Sequence, residues 1–173
     1  ISPMWAGVAF AIASIWDAIT DPIIGSIADR TRTRFGRFRP WILFASVPCA
    51  LSFAAMFWTP QLRGWTLVFY ATATHVLFRT MLAAVGIPFS ALTARMTHDS
   101  SERGTVATLR MMFAGAGTLA VAYLIPKLTQ LQGDEQRAYF LAACLLGTVA
   151  TVILLITFLS TSEPAESPST EEA

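Results

Sequence analysis

Asp17 and Asp21 stand four positions apart inside a stretch from Pro3 to Ile27 that is otherwise almost wholly apolar. On a helix that spacing sets both carboxylates on one face. An ionised side chain in hydrocarbon costs at least about 2.5 kcal/mol, so a membrane helix carrying two of them is organised to hold a cation, a proton or a polar solute. Ser14, Thr20 and Gly25 fall on the same side, giving a stripe of oxygen ligands with a small residue at its base. Carboxylate and hydroxyl oxygens suit a hard cation such as Na+, and two neighbouring carboxylates can equally share one proton, because like charges disfavour double ionisation. The competing reading is that both acids only pair with arginines to fasten helices. Neither reading requires a prosthetic cofactor or a catalytic group.

Three other residues can answer these acids. Counted back from Ser26 at about 1.5 Å per residue, Asp21 lies roughly 7 Å and Asp17 roughly 13 Å inside the membrane. Arg110 enters its own span to a depth close to that of Asp21, so a charge-assisted Asp21–Arg110 pair is expected. Arg79 falls near the middle of another span, where it is either a counter-ion or ligand for an anionic or polyhydroxylated solute or a structural partner for Asp17. His75 shares a helix face with Arg79 and reads as a hydrogen-bonded packing histidine. Trp16, beside Asp17, is either helix packing or a platform against which a sugar ring stacks.

Positioning such groups requires a membrane. The 173 residues are 54% hydrophobic and 13% charged, too apolar for a soluble domain of this size. Five segments are long enough to span a bilayer: 3–27, 41–59, 65–94, 105–126 and 138–159. Placing the loop Arg30 to Arg39 in the cytoplasm puts Arg30, Arg32, Arg34, Arg37, Arg39, Arg95 and Arg103 inside and only Arg63, Lys127 and Arg137 outside. The N-terminal end is then outside and the tail cytoplasmic. Trp5, Trp58 and Trp65 lie at the outer interface in this orientation, and Trp41 at the inner one.

Pro22 follows Asp21 directly, where it can kink the helix and free a carbonyl for a ligand. Gly86-Ile-Pro88 is expected to break the long third span, Pro40 to open the second, and Ser100 or Ser101 to cap the fourth. Ala114-Gly-Ala-Gly117 offers a small-residue face for close helix contact, and the uncharged fifth span reads as packing. Cys49 and Cys144 lie within spans and read as small core residues, not a disulfide or metal site. The chain has no initiator Met and no basic region before its first apolar stretch, so it reads as cut, not as opening on a signal peptide. The acidic, proline-containing residues 161–173 read as a disordered tail or linker.

The stretch Gly25-Ser-Ile-Ala-Asp29-Arg30-Thr-Arg-Thr-Arg34 resembles the loop signature between helices two and three of the major facilitator superfamily, where the loop contributes to a cytoplasmic gate. By that resemblance Gly25, Asp29, Arg30, Arg34 and Arg37 are gate-loop residues. Trp16-Asp17-Ala-Ile-Thr-Asp21-Pro-Ile-Ile-Gly25, Arg34-Phe-Gly-Arg37-Phe-Arg39-Pro-Trp41, Gly86-Ile-Pro-Phe-Ser-Ala-Leu92, Glu102-Arg103 and Thr108-Leu-Arg110-Met-Met-Phe113 together resemble its glycoside-pentoside-hexuronide:cation symporter family, of the melibiose permease type. The resemblance implies a cation site at Asp17, Thr20 and Asp21 and a substrate or counter-ion role for Arg110, beside Arg79 and Trp16. It also implies Na+ or H+ as the coupling ion, a sugar-like solute, and residence in a bacterial inner membrane. Gly86 stands where sugar carriers of this family have an acid or amide, and Ser90 where the best known has tryptophan. Animal relatives move lysophospholipids with sodium.

The basic loop follows the first span here, whereas in the superfamily it follows the second. The fold class is therefore an all-α membrane bundle of five helices, helices two to six of an N-terminal six-helix half, whose partners are the lipid bilayer, the missing first helix and the second half. Nucleic acid is not an expected partner. Two other classes compete: a membrane-embedded phosphotransferase holding divalent metal on Asp17 and Asp21, and a truncated scaffold that transports nothing. The first needs an Asp-Gly-x-x-Ala-Arg element upstream of Asp17, and none is present.

Overall fold

With no water in a bilayer core, a spanning segment must satisfy its backbone groups internally, which a helix does. The computed structural model describes residues 3–58, 60–96 and 100–161, and they form five helices: α1 (Pro3–Arg30), α2 (Arg39–Phe57), α3 (Trp65–Met96), α4 (Ser100–Gln132) and α5 (Glu135–Ser160). All five are long and apolar enough to cross a membrane. The expected tail at 162–173 lies outside the described residues. Several helices overrun the expected spans by a few residues, because polar ends such as Asp29–Arg30 continue the helical hydrogen-bond ladder past the apolar stretch.

Threonines inside the spans keep their hydroxyls off the lipid by donating to the carbonyl one turn back, as Thr72, Thr74, Thr80 and Thr93 do at 2.8–2.9 Å. The main packing runs α1 on α3, α3 on α2, α2 on α5 and α5 on α4, which puts α2 in the middle of the row. α1 and α3 run parallel, since Trp5 meets Trp65 edge to face at 4.6 Å near their starts and Gly25 faces Ile87 near their ends. α2 runs antiparallel to both α3 and α5. Tyr70 donates from α3 to the Ala55 carbonyl at 2.7 Å, and at the opposite end of α2 Arg39 donates to the Phe158 carbonyl of α5 at 2.6 Å.

The prolines do less than their positions suggest. α3 runs without interruption through Gly86-Ile-Pro88, so the expected break is absent, and α1 likewise continues through Pro22. A proline inside a helix deletes one N–H; here the ring of Pro88 is fully buried among its neighbours, and that packing holds the helix together. Pro40 does sit in the first turn of α2, where its missing N–H has no role.

The small-residue face on α4 is a second difference. A Cβ added at Gly115 or Gly117 would meet nothing within 4 Å, so this face is bare among the described residues. Close helix contact is made instead at Gly147 of α5, where an added Cβ would come within 3.3 Å of Ala50 Cβ and 3.5 Å of the Ala50 carbonyl. Gly147→Leu should therefore cost about 1–3 kcal/mol by forcing α2 and α5 apart. A detergent melting curve unchanged from wild type would show that this seam does not depend on the close approach.

Candidate functional site

Asp17 points from the middle of α1 toward α3, the helix that carries Arg79 at matching depth. Arg79 Nε donates to Asp17 Oδ2 at 2.6 Å, and Nη2 forms an ion pair with the same oxygen. The Asp17 side chain is 14% exposed and that of Arg79 35%. Asp17 Oδ1 is buried with no hydrogen-bond partner. One position along each helix, Trp16 Nε1 donates to Thr80 Oγ1 at 2.9 Å. Two neighbouring residues on α1 thus clasp two neighbouring residues on α3.

The pair that depth suggested between Asp21 and Arg110 does not form. Asp21 is exposed, and its side chain has no partner among the described residues. Arg110 is exposed on α4, where its Nη1 lies 3.5 Å from Ser90 Oγ and its guanidinium lies over the Phe89 ring, 5.6 Å from the centroid. Both contacts reach α3. Arg110 also lines an open cavity of about 500 Å³ with Ser90, Thr93, Val106 and Met111. Equal depth says nothing about which way a side chain faces round its helix.

The oxygen stripe is only partly assembled. Ser14 and Thr20 donate their hydroxyls back to the carbonyls of Phe10 and Trp16, each at 3.0 Å, so only their lone pairs remain for a cation. Pro22 supplies no N–H to the carbonyl of Ala18, which adds an oxygen between the two carboxylates along the chain. Trp16 is 43% exposed, so its indole can bond Thr80 and still present surface. His75 places Nδ1 3.3 Å from the Met56 sulfur and packs 6.3 Å from the Phe10 ring, while Nε2 is buried without a partner. It bounds a cavity of about 270 Å³ lined also by Trp5, Phe10, Met56 and Val68.

The basic loop is a tight turn followed by an anchor. Thr33 and Gly36 exchange backbone hydrogen bonds at 3.3 and 3.0 Å, Thr33 Oγ1 donates to the Gly36 carbonyl at 2.8 Å, and Gly36 takes φ 102°. Only glycine adopts that φ without strain, so Gly36→Val should cost about 1–2 kcal/mol. Faster tryptic cleavage at Arg34 and Arg37 in inside-out vesicles would report it, and an unchanged rate would show that the turn does not set the loop's order. Of the expected gate residues, Arg34 stacks over Phe35 at 4.6 Å and Arg37 lies 6.0 Å from the Phe38 ring centroid, whereas Gly25, Asp29 and Arg30 make no polar side-chain contact among the described residues. Two residues outside the expected gate set hold the loop. Phe38 is buried against Ala28, Ile42 and Leu92, and Arg39 bonds the end of α5. The signal for Phe38 was the phenylalanine set three residues after Phe35 among the arginines.

Five apolar helices with an acid–arginine pair inside the membrane and a basic, anchored loop at one end define a helical membrane protein built like a secondary transporter. The chain belongs to the family described as MFS/sugar transport protein, whose model matches residues 1–173. It is 35% identical over 159 residues to the putative glycoside/cation symporter YagG of Escherichia coli (strain K12), covering 91% of this chain and 35% of that protein. It is 34% identical over 168 residues to the inner membrane symporter YicJ of the same strain, covering 96% and 36%. It is 32% identical over 124 residues to sodium-dependent lysophosphatidylcholine symporter 1 of Gallus gallus, covering 69% and 22%. The chain thus spans little more than a third of these bacterial relatives. All three relatives bear the names of symporters, not enzymes, which sets the phosphotransferase reading aside.

Proposed function

We propose that this chain is part of a secondary symporter, helices two to six of its N-terminal half, that couples a cation, Na+ or H+, to the movement of a sugar, glycoside or related solute. The observation that carries this reading is a carboxylate, Asp17, held within a spanning bundle with one oxygen bonded to Arg79 and the other unpartnered. A buried acid that costs several kcal/mol to keep, yet has a vacant acceptor, is suited to bind and release a cation. Asp21, Thr20 and the Ala18 carbonyl extend that site toward the inner face. Arg110 and Trp16 serve the solute, and Gly25, Asp29, Arg30, Arg34 and Arg37 belong to the cytoplasmic gate. The N-terminal end lies outside and residues 161–173 lead from the cytoplasmic side, in a bacterial inner membrane. Cation occupancy at the acids stabilises the solute-bound state, and the two halves of the transporter rock about the site.

In vesicles bearing the full-length transporter, glycoside uptake driven by a Na+ or proton gradient should fall at least tenfold, about 1.4 kcal/mol, in Asp17→Asn and in Asp21→Asn. Undiminished driven uptake in either variant removes that residue from the cation site, and in both it removes the reading.

A further inference from the structure

A cation already sits on Asp17. Arg79 directs Nε, at 2.6 Å, and Nη2 onto the single oxygen Oδ2. We infer that Arg79 is a specificity-determining residue, a tethered cation that holds the place a metal ion would take at Asp17 and excludes Na+ from it. The inference rests on the reading of Asp17 and Asp21 as the cation site and adds which ion that site admits.

Ligand supply is the first reason. A hard metal cation gathers several oxygens around itself. With Oδ2 taken by two N–H donors, Asp17 offers a metal ion only Oδ1 and cannot hold it through both carboxylate oxygens. Charge is the second. Asp17 and Arg79 neutralise each other, so a Na+ ion arriving at Oδ1 meets no net negative charge on the pair and has only the exposed Asp21 to match it. The charged and titratable groups nearby are Asp21 one turn along α1 and His75 one turn before Arg79 on α3, and neither bonds the pair. Position is the third. The Trp16–Thr80 bond at 2.9 Å holds α1 and α3 together next to the pair, so the helices do not part to admit an ion. A proton escapes the first and third constraints, because it bonds to Oδ1 alone, needs no shell of oxygens and does not require the helices to part.

The test is equilibrium Na+ binding to the purified full-length transporter. Na+ is titrated against choline at fixed ionic strength and read by tryptophan fluorescence, since Trp16 adjoins the pair, and by melting temperature. The Asp17-dependent response is the part that Asp17→Asn removes. The wild type should show none. Arg79→Ala, and the gentler Arg79→Gln that keeps a hydrogen-bond donor, should gain a saturable Asp17-dependent response with affinity raised at least tenfold, about 1.4 kcal/mol. Arg79→Lys, which keeps the charge, should not gain it, and Asp17→Asn/Arg79→Gln should lose it. An Asp17-dependent Na+ response in the wild type overturns the inference while leaving Asp17 a cation ligand. Folded Arg79→Gln protein with no gain in Na+ response also overturns it. If Asp17→Asn then transports normally as well, the functional reading falls with it.

Discussion

Neutralising either member of the Asp17–Arg79 pair alone should cost the full-length transporter about 2–3 kcal/mol, and neutralising both should recover most of that loss. The expectation follows from what each single change leaves behind. Asp17→Asn leaves the Arg79 guanidinium in the span with a neutral amide, and Arg79→Gln leaves a carboxylate that is 14% exposed with no counter-charge. Breaking a buried pair costs about 3–5 kcal/mol because an uncompensated charge remains. The 35% exposure of Arg79 places this pair below that range. In Asp17→Asn/Arg79→Gln no charge is stranded, and an amide–amide hydrogen bond can replace the ion pair across the same α1–α3 contact. A double-mutant cycle from detergent melting curves should therefore give a coupling of about 3 kcal/mol, at the top of the range for residues in direct contact. Additive losses would show that the two side chains do not act as a unit. The double variant should fold and yet lose ion-driven uptake, which separates the pair's structural part from its functional one.

Much of this architecture could be read in the chain because a bilayer leaves few options. Five apolar stretches must be helices, and their number and order match α1 to α5. The contact between Asp17 and Arg79 was one of two readings open for each residue, and shared depth near the midplane was enough to raise it. Depth failed for Asp21 and Arg110, because it fixes height along the membrane normal and not the direction a side chain takes round its helix. Arg110 turns from α4 onto Ser90 and Phe89 of α3, while Asp21 stays exposed on α1. Gly86-Ile-Pro88 misled for a related reason. A local rule sees the missing N–H, but the burial of the Pro88 ring is a property of the assembled bundle. The bare face at Ala114–Gly117 shows the same limit, since small residues permit close contact without supplying the helix that makes it.

Phe38→Ala should be the most damaging single change in the basic loop, at about 3 kcal/mol or more. The Phe38 side chain is 2% exposed and fills the space between the end of α1 at Ala28, the start of α2 at Ile42 and α3 at Leu92. Truncating a fully buried phenylalanine removes its burial energy and leaves a cavity, together about 3–5 kcal/mol. The Arg95 guanidinium, 5.2 Å from the ring centroid, loses its stacking surface at the same time. What remains to hold the loop includes the Trp41 indole bond to Thr31 at 3.0 Å, the Arg39 bond to the Phe158 carbonyl at 2.6 Å and the edge-to-face contact of Phe35 with Phe158 at 5.8 Å. Such bonds at a water-exposed helix end contribute only about 1 kcal/mol each, so they do not make up the difference. The full-length Phe38→Ala variant should melt earlier, and its loop should be cut several-fold faster by trypsin at Arg34 and Arg37 in inside-out vesicles. Phe38→Leu, which keeps most of the volume, should cost less than half as much. If Phe38→Ala leaves both readouts at wild-type values, the arginines hold the loop by themselves. If it loosens the loop, the gate proposed for this end of the transporter is fastened by an aromatic side chain set among the charges, and its closure depends on packing as well as on charge.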